Sequence, residues 1–557
     1  MAAVNSMSFI APNNKRHAIR GARGTRQSTT SLSAELAQWL MVVLIGFGSA
    51  LVVRALSDAS KVMMVKKLEL VHHMQLQSGA IAAWAVHAGL GLCFVCVAFT
   101  CAVLAPFAKG SGLPHLIAYL NGCKLIGFTS FRTLCAKLVG TSFSLAAGLF
   151  VGPEGPMIHL GGCVGKQMLR LLHRSSRFGP RTLVAAFSHL QNDLDQRDAV
   201  AIGAGAAITT AFLAPISGTI FVVEEASSHF SLSLLWRAFT ASIAALWACH
   251  WLETADDNDS AYNHKFQIKF DFGQFVGCTD NDSITGGVLG LAVLGGLTGS
   301  LFNMCILYAN QLRVRLTKGR RSLQLLDAAV ILLVSSTLCV GLPAALSCEE
   351  PSVGWLELGL QCPCAAAANL TYCKSTGQCP MPSSLTYDPQ NGTLTGVCST
   401  IAFENAIPWA SRDTHTCFED CLYGRISGAP VAMLASTGPC PEGQYSPLGS
   451  LLLQPSDNTV RALFIRGAPY ALPAHVLAIA LACWFCMTAL TAGITAPLGL
   501  MIPMIIIGGC LGRLYCLLLL HLNVSASPHP QSRHLASPTP PLSSASRAPP
   551  PLPSPPP

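Results

Sequence analysis

Gly152-Pro153-Glu154-Gly155-Pro156-Met157-Ile158-His159 stands directly after an apolar run over 134–151. Glycines, prolines and a carboxylate occupy places where an ordinary membrane helix carries Leu or Val, so this octapeptide decides how the chain is read. Proline is at home in a first helical turn, which puts Glu154 at the N-terminus of the helix expected to follow. Helices that begin inside a bilayer are tolerated only where their irregular backbone is buried in protein or lines a cavity. Their N-terminal amides carry partial positive charge and attract anions. The Glu154 carboxylate would mimic a bound anion there and swing away once protonated. In isolation a capping glutamate at a surface turn explains the same residues equally well, although an acid within a span is a functional hypothesis by default.

Working outward, composition makes lipid the solvent for much of the chain. Of its 557 residues 51% are hydrophobic and 11% charged, against about 25% charged in soluble proteins, and mean hydropathy is +0.47. Crossing the hydrocarbon core takes roughly 20 apolar residues as a helix. Runs of that character occupy 36–56, 79–107, 134–151, 199–223, 232–248, 285–309, 327–346, 471–490 and 494–520, several of them interrupted by Gly and Pro. The net charge of +8 is scattered through inter-helix segments rather than gathered on one face, which argues against a nucleic-acid surface. Lys15, Arg16, Arg20, Arg23 and Arg26 precede the first run; Lys166, Arg170, Arg174, Arg177 and Arg181 form a second group, and Arg313, Arg315, Lys318, Arg320 and Arg321 a third. By the positive-inside rule all three face the cytosol. The N-terminus shows no cleavable secretory signal, so the first span is expected to direct insertion. No nucleophile with a plausible base and no metal-ligand pattern appears, so an enzyme is not expected.

Five regions follow from these patterns: a disordered basic cytosolic arm over 1–33, a membrane region over 34–347, a polar insert over 348–466, a further membrane region over 467–522, and a Pro/Ser-rich tail over 523–557. The insert holds Cys348, Cys362, Cys364, Cys373, Cys379, Cys398, Cys417, Cys421 and Cys440. Cysteines this dense in a polar segment point to disulfides and an oxidising lumen or exterior, with free thiols or a metal knot as the alternative. The odd count leaves at least one unpaired within the insert. Sequons at Asn369 and Asn391 point to the same side. The tail is low-complexity and reads as a passive end, with a ligand for a proline-binding module as the other reading.

Three more stretches carry the same punctuation as the octapeptide. Gly110-Ser111-Gly112-Leu113-Pro114 lets backbone approach a ligand, and the Ser111 hydroxyl adds a donor without a full charge; a plain interfacial turn fits as well. The run over 205–225, GAAITTAFLAPISGTIFVVEE, ends in Glu224 and Glu225. These acids either mark the membrane boundary or hand protons inward, and adjacent helical residues diverge by about 100°, so one of them would face the pathway. Ala496-Pro497-Leu498-Gly499-Leu500-Met501-Ile502-Pro503-Met504 lacks an acid. Interrupted segments in both halves are the expected sign of an inverted repeat with its site at the midplane. Gly286/Gly290 and Gly295/Gly299 suggest tight helix packing through small residues.

In this order and spacing GSGLP, GPEGPMIH, LAPISGTIFVVEE and GLMIP resemble the CLC chloride channel and transporter family over roughly 39–520, apart from the insert. DFGQF at 271–275, CPEGQY at 440–445 and GLMIPMIIIGGCLGRL at 499–514 resemble its endosomal and lysosomal branch. The resemblance implies an all-α polytopic membrane protein, a CLC-type inverted repeat of tilted and broken helices with its second half incomplete. It implies gated chloride/proton exchange across an endosomal, lysosomal or vacuolar membrane, with chloride preferred to nitrate. The alternatives are a passive voltage-gated channel or a truncated, non-transporting subunit. Ser111, Gly112, Gly155, Leu500 and Met501 would contact the anion, Glu154 would be the gating glutamate and Glu225 the proton-transfer glutamate. A homodimer with one pathway per subunit is implied, with room for an accessory subunit, and no cofactor, since the nucleotide-binding CBS modules of the family are not seen. Two departures bear on the site: Pro153 replaces the usual basic residue, losing a charge and an amide hydrogen, and Met501 replaces the usual phenylalanine.

Overall fold

The computed structural model describes residues 30–176, 193–226, 231–256, 282–346, 446–464 and 472–526, together with 5–6, 348, 378–388, 393–402 and 440. Its helices are α1 (Thr30–Ser78), α2 (Ala80–Leu104), α3 (Leu113–Leu120), α4 (Phe131–Ala146), α5 (Glu154–Ser176), α6 (Asp193–Phe212) and α7 (Pro215–Phe221) in the first part. The second part contributes α8 (Leu232–Asp256), α9 (Asp282–Thr317), α10 (Arg321–Ala345), α11 (Gly449–Leu452), α12 (Ser456–Leu463), α13 (Ala474–Thr491) and α14 (Met501–Ala526). Among the described residues seven helices, α1, α2, α8, α9, α10, α13 and α14, are long and apolar enough to cross a membrane. The fold is a helical polytopic membrane fold. Among the described residues the strands form two antiparallel pairs, β1 (Asn5–Ser6) with β2 (Cys123–Lys124), and β3 (Gln378–Asp388) with β4 (Thr393–Ala402).

Several helices differ from the apolar runs that announce them. The first run stops at 56, where charge begins, yet α1 continues to Ser78. Lys, Leu, Met and Glu are good helix formers, and this extension buries Lys67 and Val71 against the rest of the fold. The run over 199–223 is two helices, not one. Leu213 takes φ 53 between them and Pro215 opens α7, because proline cannot donate to the preceding turn and disfavours helix in the residue before it. The run over 134–151 is helical only to Ala146; Gly148, at φ 88, turns the chain into a link that delivers Glu154.

Among the described residues of the single chain nothing approaches Gly286, Gly295 or Gly299: a Cβ added at any of them would meet nothing within 4 Å. Gly290 alone of that set is contacted, by the Tyr515 hydroxyl. Spacing alone does not say which face of a helix meets protein. The tight crossing lies between α5 and α6, where Gly161 faces the Gly203 backbone and Gly165 faces Ala199.

Cys348 and Cys440 are joined by a disulfide, with Cα atoms 5.7 Å apart, so both ends of the insert are tied together. Cys379 and Cys398 lie on β3 and β4, in a register that sets Cys379 opposite Ile401 and Cys398 opposite Pro382. Cys362, Cys364, Cys373, Cys417, Cys421, Asn369 and Asn391 lie outside the described residues. The last part of the stretch read as insert packs into the hydrophobic core: Leu448, Leu451, Leu452, Val460, Ala462 and Leu463 pack with Val476, Leu477 and Trp484 of α13. The Trp484 indole N–H donates to the Leu451 carbonyl at 3.1 Å. Ser, Pro and Asp punctuation hides these two short helices from a hydropathy reading.

Gly165→Ala forces a methyl group onto the Ala199 backbone and is expected to cost about 1–3 kcal/mol. Gly295→Ala, into open space, should stay within about 0.5 kcal/mol. Thermal unfolding of the two variants in detergent checks the contrast.

Candidate functional site

Three helix N-termini from distant parts of the chain meet in one place. After α2 the chain makes a single 3-10 turn, Pro106–Ala108, and then passes through Gly110 at φ 64 and Gly112 at φ 80. Gly112 caps α3 in the left-handed conformation, with Pro114 in the first turn. The Ser111 hydroxyl accepts from the Leu113 amide at 3.3 Å. Beneath this turn Lys137 of α4, fully buried at 0% exposure, donates to the carbonyls of Ala108 at 3.2 Å and Gly110 at 2.9 Å. Lys137 is absent from the residues singled out in the sequence, although a lysine inside the apolar run 134–151 is the kind of intramembrane charge that marks a functional position.

The second-half turn holds the first-half turns together. Gly152 and Gly499 each donate an amide hydrogen to the other's carbonyl, both at 2.8 Å, in an antiparallel bridge. The Gly110 amide donates to the Ala496 carbonyl at 2.9 Å. Side chains would prevent these approaches: a Cβ at Gly499 would stand 2.6 Å from the Gly152 oxygen, and one at Gly155 would stand 2.7 Å from the Ser111 Cβ.

Glu154 opens α5 and is fully buried, at 0% exposure. Its Oε2 lies 2.8 Å from where a Gly152 Cβ would stand, and Ile502 and Pro503 of α14 flank the same point at 3.0 and 3.2 Å. The carboxylate is therefore held between the start of α5 and the first turn of α14. Helix α14 closes its first bond from the Met504 amide to the Leu500 carbonyl at 3.1 Å, so the amides of Met501 and Ile502 fall in its donor-rich first turn. The Met501 side chain is 40% exposed.

His159, one turn and a half along α5, stacks on Phe128 with ring centroids 4.1 Å apart. Its Nε2 is 3.1 Å from the Phe128 carbonyl, which makes Nε2 the protonated nitrogen. Nδ1 then faces Gly112, beside the Lys137 Nζ. Of the residues read from sequence, the structure brings together Ser111, Gly112, Glu154, Gly155, Leu500 and Met501. Glu224 is exposed, and the backbone of Glu225 lies in a π-helical turn, Val222–Ala226. The Glu225 side chain lies outside the described residues.

The arrangement gathers helix-start dipoles, the Ser111 hydroxyl and the Glu154 carboxyl around one set of turns, and such dipoles are of the kind that can hold a small anion. Residues 92–549 match the family model described as voltage gated chloride channel, and the chain belongs to that family. It is 28% identical over 501 residues to chloride channel protein CLC-c of Arabidopsis thaliana, covering 88% of this chain and 54% of that protein. It is 25% identical over 486 residues to chloride channel protein C of Dictyostelium discoideum, covering 87% of this chain and 54% of that protein. The chain spans about half the length of the curated relatives it matches. A solved structure of a slow cyanobacterial Cl-/H+ antiporter aligns with 87% of this chain and 98% of its own, at TM-score 0.46 and 18% identity.

Gly499→Ala would part the bridge between the two halves. The expected result is a loss of about 1–3 kcal/mol together with faster amide exchange at 152 and 499, read by thermal unfolding and hydrogen-exchange mass spectrometry.

Proposed function

We propose that the chain is a chloride transporter that exchanges chloride for protons across an endosomal, lysosomal or vacuolar membrane, working as a homodimer with one pathway per subunit. A transporter or channel, rather than an enzyme, is the reading that family membership favours. The observation that carries the proposal is the fully buried Glu154 carboxylate, seated beside the Gly152–Gly499 bridge where the turns of Ser111 and Met501 meet. Amide dipoles at the starts of α3, α5 and α14 bind an anion weakly enough to release it. Ser111, Gly112, Gly155, Leu500 and Met501 supply those contacts. When ionised, Glu154 competes with chloride for the same positive field. Protonation removes its charge, and the vacated field takes up chloride. Coupling follows if Glu225 relays protons between Glu154 and the cytosol. The endosomal or vacuolar location is supported by the DFGQF, CPEGQY and GLMIP stretches and by the cysteine-rich insert.

Reconstituting the full chain in vesicles and measuring reversal potentials under a pH gradient tests the reading. For exchange, the potential moves with pH; a potential fixed at the chloride equilibrium value identifies a passive conductance instead. Glu225→Ala is expected to bring proton movement down to the vesicle background while chloride movement continues. Glu154→Gln, lacking a titratable gate, is expected to carry chloride without dependence on pH.

A further inference from the structure

Arg313 of α9 ties three helices together. Its Nε donates to the Asp327 carboxylate of α10 at 2.7 Å, its Nη1 to Asn310 Oδ1, one turn back on α9, at 2.9 Å, and its Nη2 to the Leu490 carbonyl in the last turn of α13. Carbonyls at a helix C-terminus lack intrahelical partners. In α13 the Thr488 carbonyl is taken by the Ala492 amide at 3.0 Å, and that of Thr491 by the amides of Gly493 at 2.7 Å and Ile494 at 3.2 Å; Arg313 serves Leu490 between them. Asn310 Oδ1 and Arg313 Nη1 stand where a side chain at Gly493 would have to go, and Gln324 of α10 accepts from the Thr495 hydroxyl at 3.4 Å. Helices α9 and α10 thus grip the chain over 490–495, directly ahead of Ala496, whose carbonyl takes the Gly110 amide at 2.9 Å.

The segment over 492–500 is not helical, yet it must set Ala496 on Gly110 and Gly499 on Gly152 within the spread of about 0.5 Å that a good hydrogen bond tolerates. A planar guanidinium with its donors in a fixed fork suits the task, because each nitrogen takes a different partner without rotating. A cation at a helix C-terminus also offsets the negative end of the helix dipole, which otherwise opposes an anion held by the turn that follows. Building on the transport reading above, we propose that Arg313 is a positioning residue for the anion site: with Asp327 it clamps the end of α13 and so fixes the spacing between the turns of Ser111 and Met501 on which chloride affinity depends. All three of its nitrogens are bonded to protein. It acts through backbone placement, without touching the ion.

Chloride flux into vesicles holding the full chain is measured against chloride concentration for wild type, Arg313→Met, Arg313→Lys, Asp327→Asn and Arg315→Met. Arg313→Met is expected to raise the half-saturating concentration about three- to fivefold, the size of a lost cation at a helix C-terminus, with a smaller change in maximal flux. The rise persists when about 0.5 M sodium gluconate screens exposed charge, and Arg313→Lys, which keeps the charge but not the fork, recovers part of it. Arg315 is exposed on the same helix, and Arg315→Met leaves half-saturation unchanged. Hydrogen exchange over 492–499 runs faster in Arg313→Met than in Arg315→Met. Half-saturation at the wild-type value in Arg313→Met, a rise that disappears in gluconate, an equal rise in Arg315→Met, or exchange at the wild-type rate overturns the proposal. Should Arg313→Met fail to fold, Asp327→Asn decides, since it leaves the bonds to Asn310 and Leu490 in place: a roughly twofold rise supports the clamp, and none overturns it. Absence of flux from the wild type overturns the transport reading instead. In that event calorimetric titration of chloride into the purified chain decides the clamp: weaker binding by Arg313→Met supports it, and equal or absent binding overturns it.

Discussion

The requirement that every peptide group be hydrogen-bonded in a medium without water governs this structure. A broken helix in a bilayer exposes amides and carbonyls, and each one left unpaired costs several kcal/mol. The chain breaks helices at 110–112, 147–153 and 496–500 and then pairs the breaks with one another. Gly152 and Gly499 satisfy each other, and Gly110 is satisfied by Ala496. The Gly152–Gly499 pairing demands glycine on both sides, so the conspicuous residues of the motifs are there as much for backbone contact as for binding.

The link between α4 and α5 shows the same rule carried along a segment. The Ala147 carbonyl accepts from Lys67 of α1 at 2.6 Å, and the Gly148 carbonyl from Ser335 of α10 at 2.6 Å. The Phe150 carbonyl accepts from Thr488 of α13 at 3.4 Å, and Gly152 is bridged to Gly499 at 2.8 Å. Three separate helices and a loop thus send one donor each to the strip of backbone that ends at Glu154. Lys67 and Ser335 are buried, at 3% and 0% exposure, and their polarity deep in the fold follows from these carbonyls. Next to them His87 and Ser336 bond at 2.9 Å, joining α2 to α10.

Much of this was legible in the residues. The membrane class followed from hydropathy and the low charge; Gly and Pro placed where helices should be continuous marked the turns at Ser111, Glu154 and Met501, and the family resemblance implied that they share one site. What stayed hidden is long-range. No local pattern shows that Lys137 reaches the carbonyls of Ala108 and Gly110, or that Lys67 meets Ala147, because each donor and acceptor lie on separate elements. The glycine pairs of α9 make a related point: small residues at helical spacing permit close approach but do not supply the neighbour, and the tight crossing falls instead where Gly161 and Gly165 of α5 meet Gly203 and Ala199 of α6. The break at Leu213 was signalled by Pro215, yet the hydropathy of 199–223 concealed it, since a run of apolar residues scores alike whether or not its backbone is continuous.

Lys137, buried beside the turn of Ser111, owes its place to the backbone it supports. Its Nζ donates to the carbonyls of Ala108 and Gly110, so the side chain stabilises the turn that carries Ser111. A point charge on a flexible stem suits this role, whereas a guanidinium would bring a rigid fork of five donors into a place with two acceptors. The His159 ring beside it is oriented by Phe128 and presents an uncharged face to Gly112, so it adds no second full charge there. The surroundings of Ser111 are thereby graded: a lysine bonded to backbone, amide dipoles at the helix starts, and the buried Glu154 carboxyl. For the transport role proposed above such surroundings suit shallow binding, which is what lets an ion both enter a membrane site and leave it.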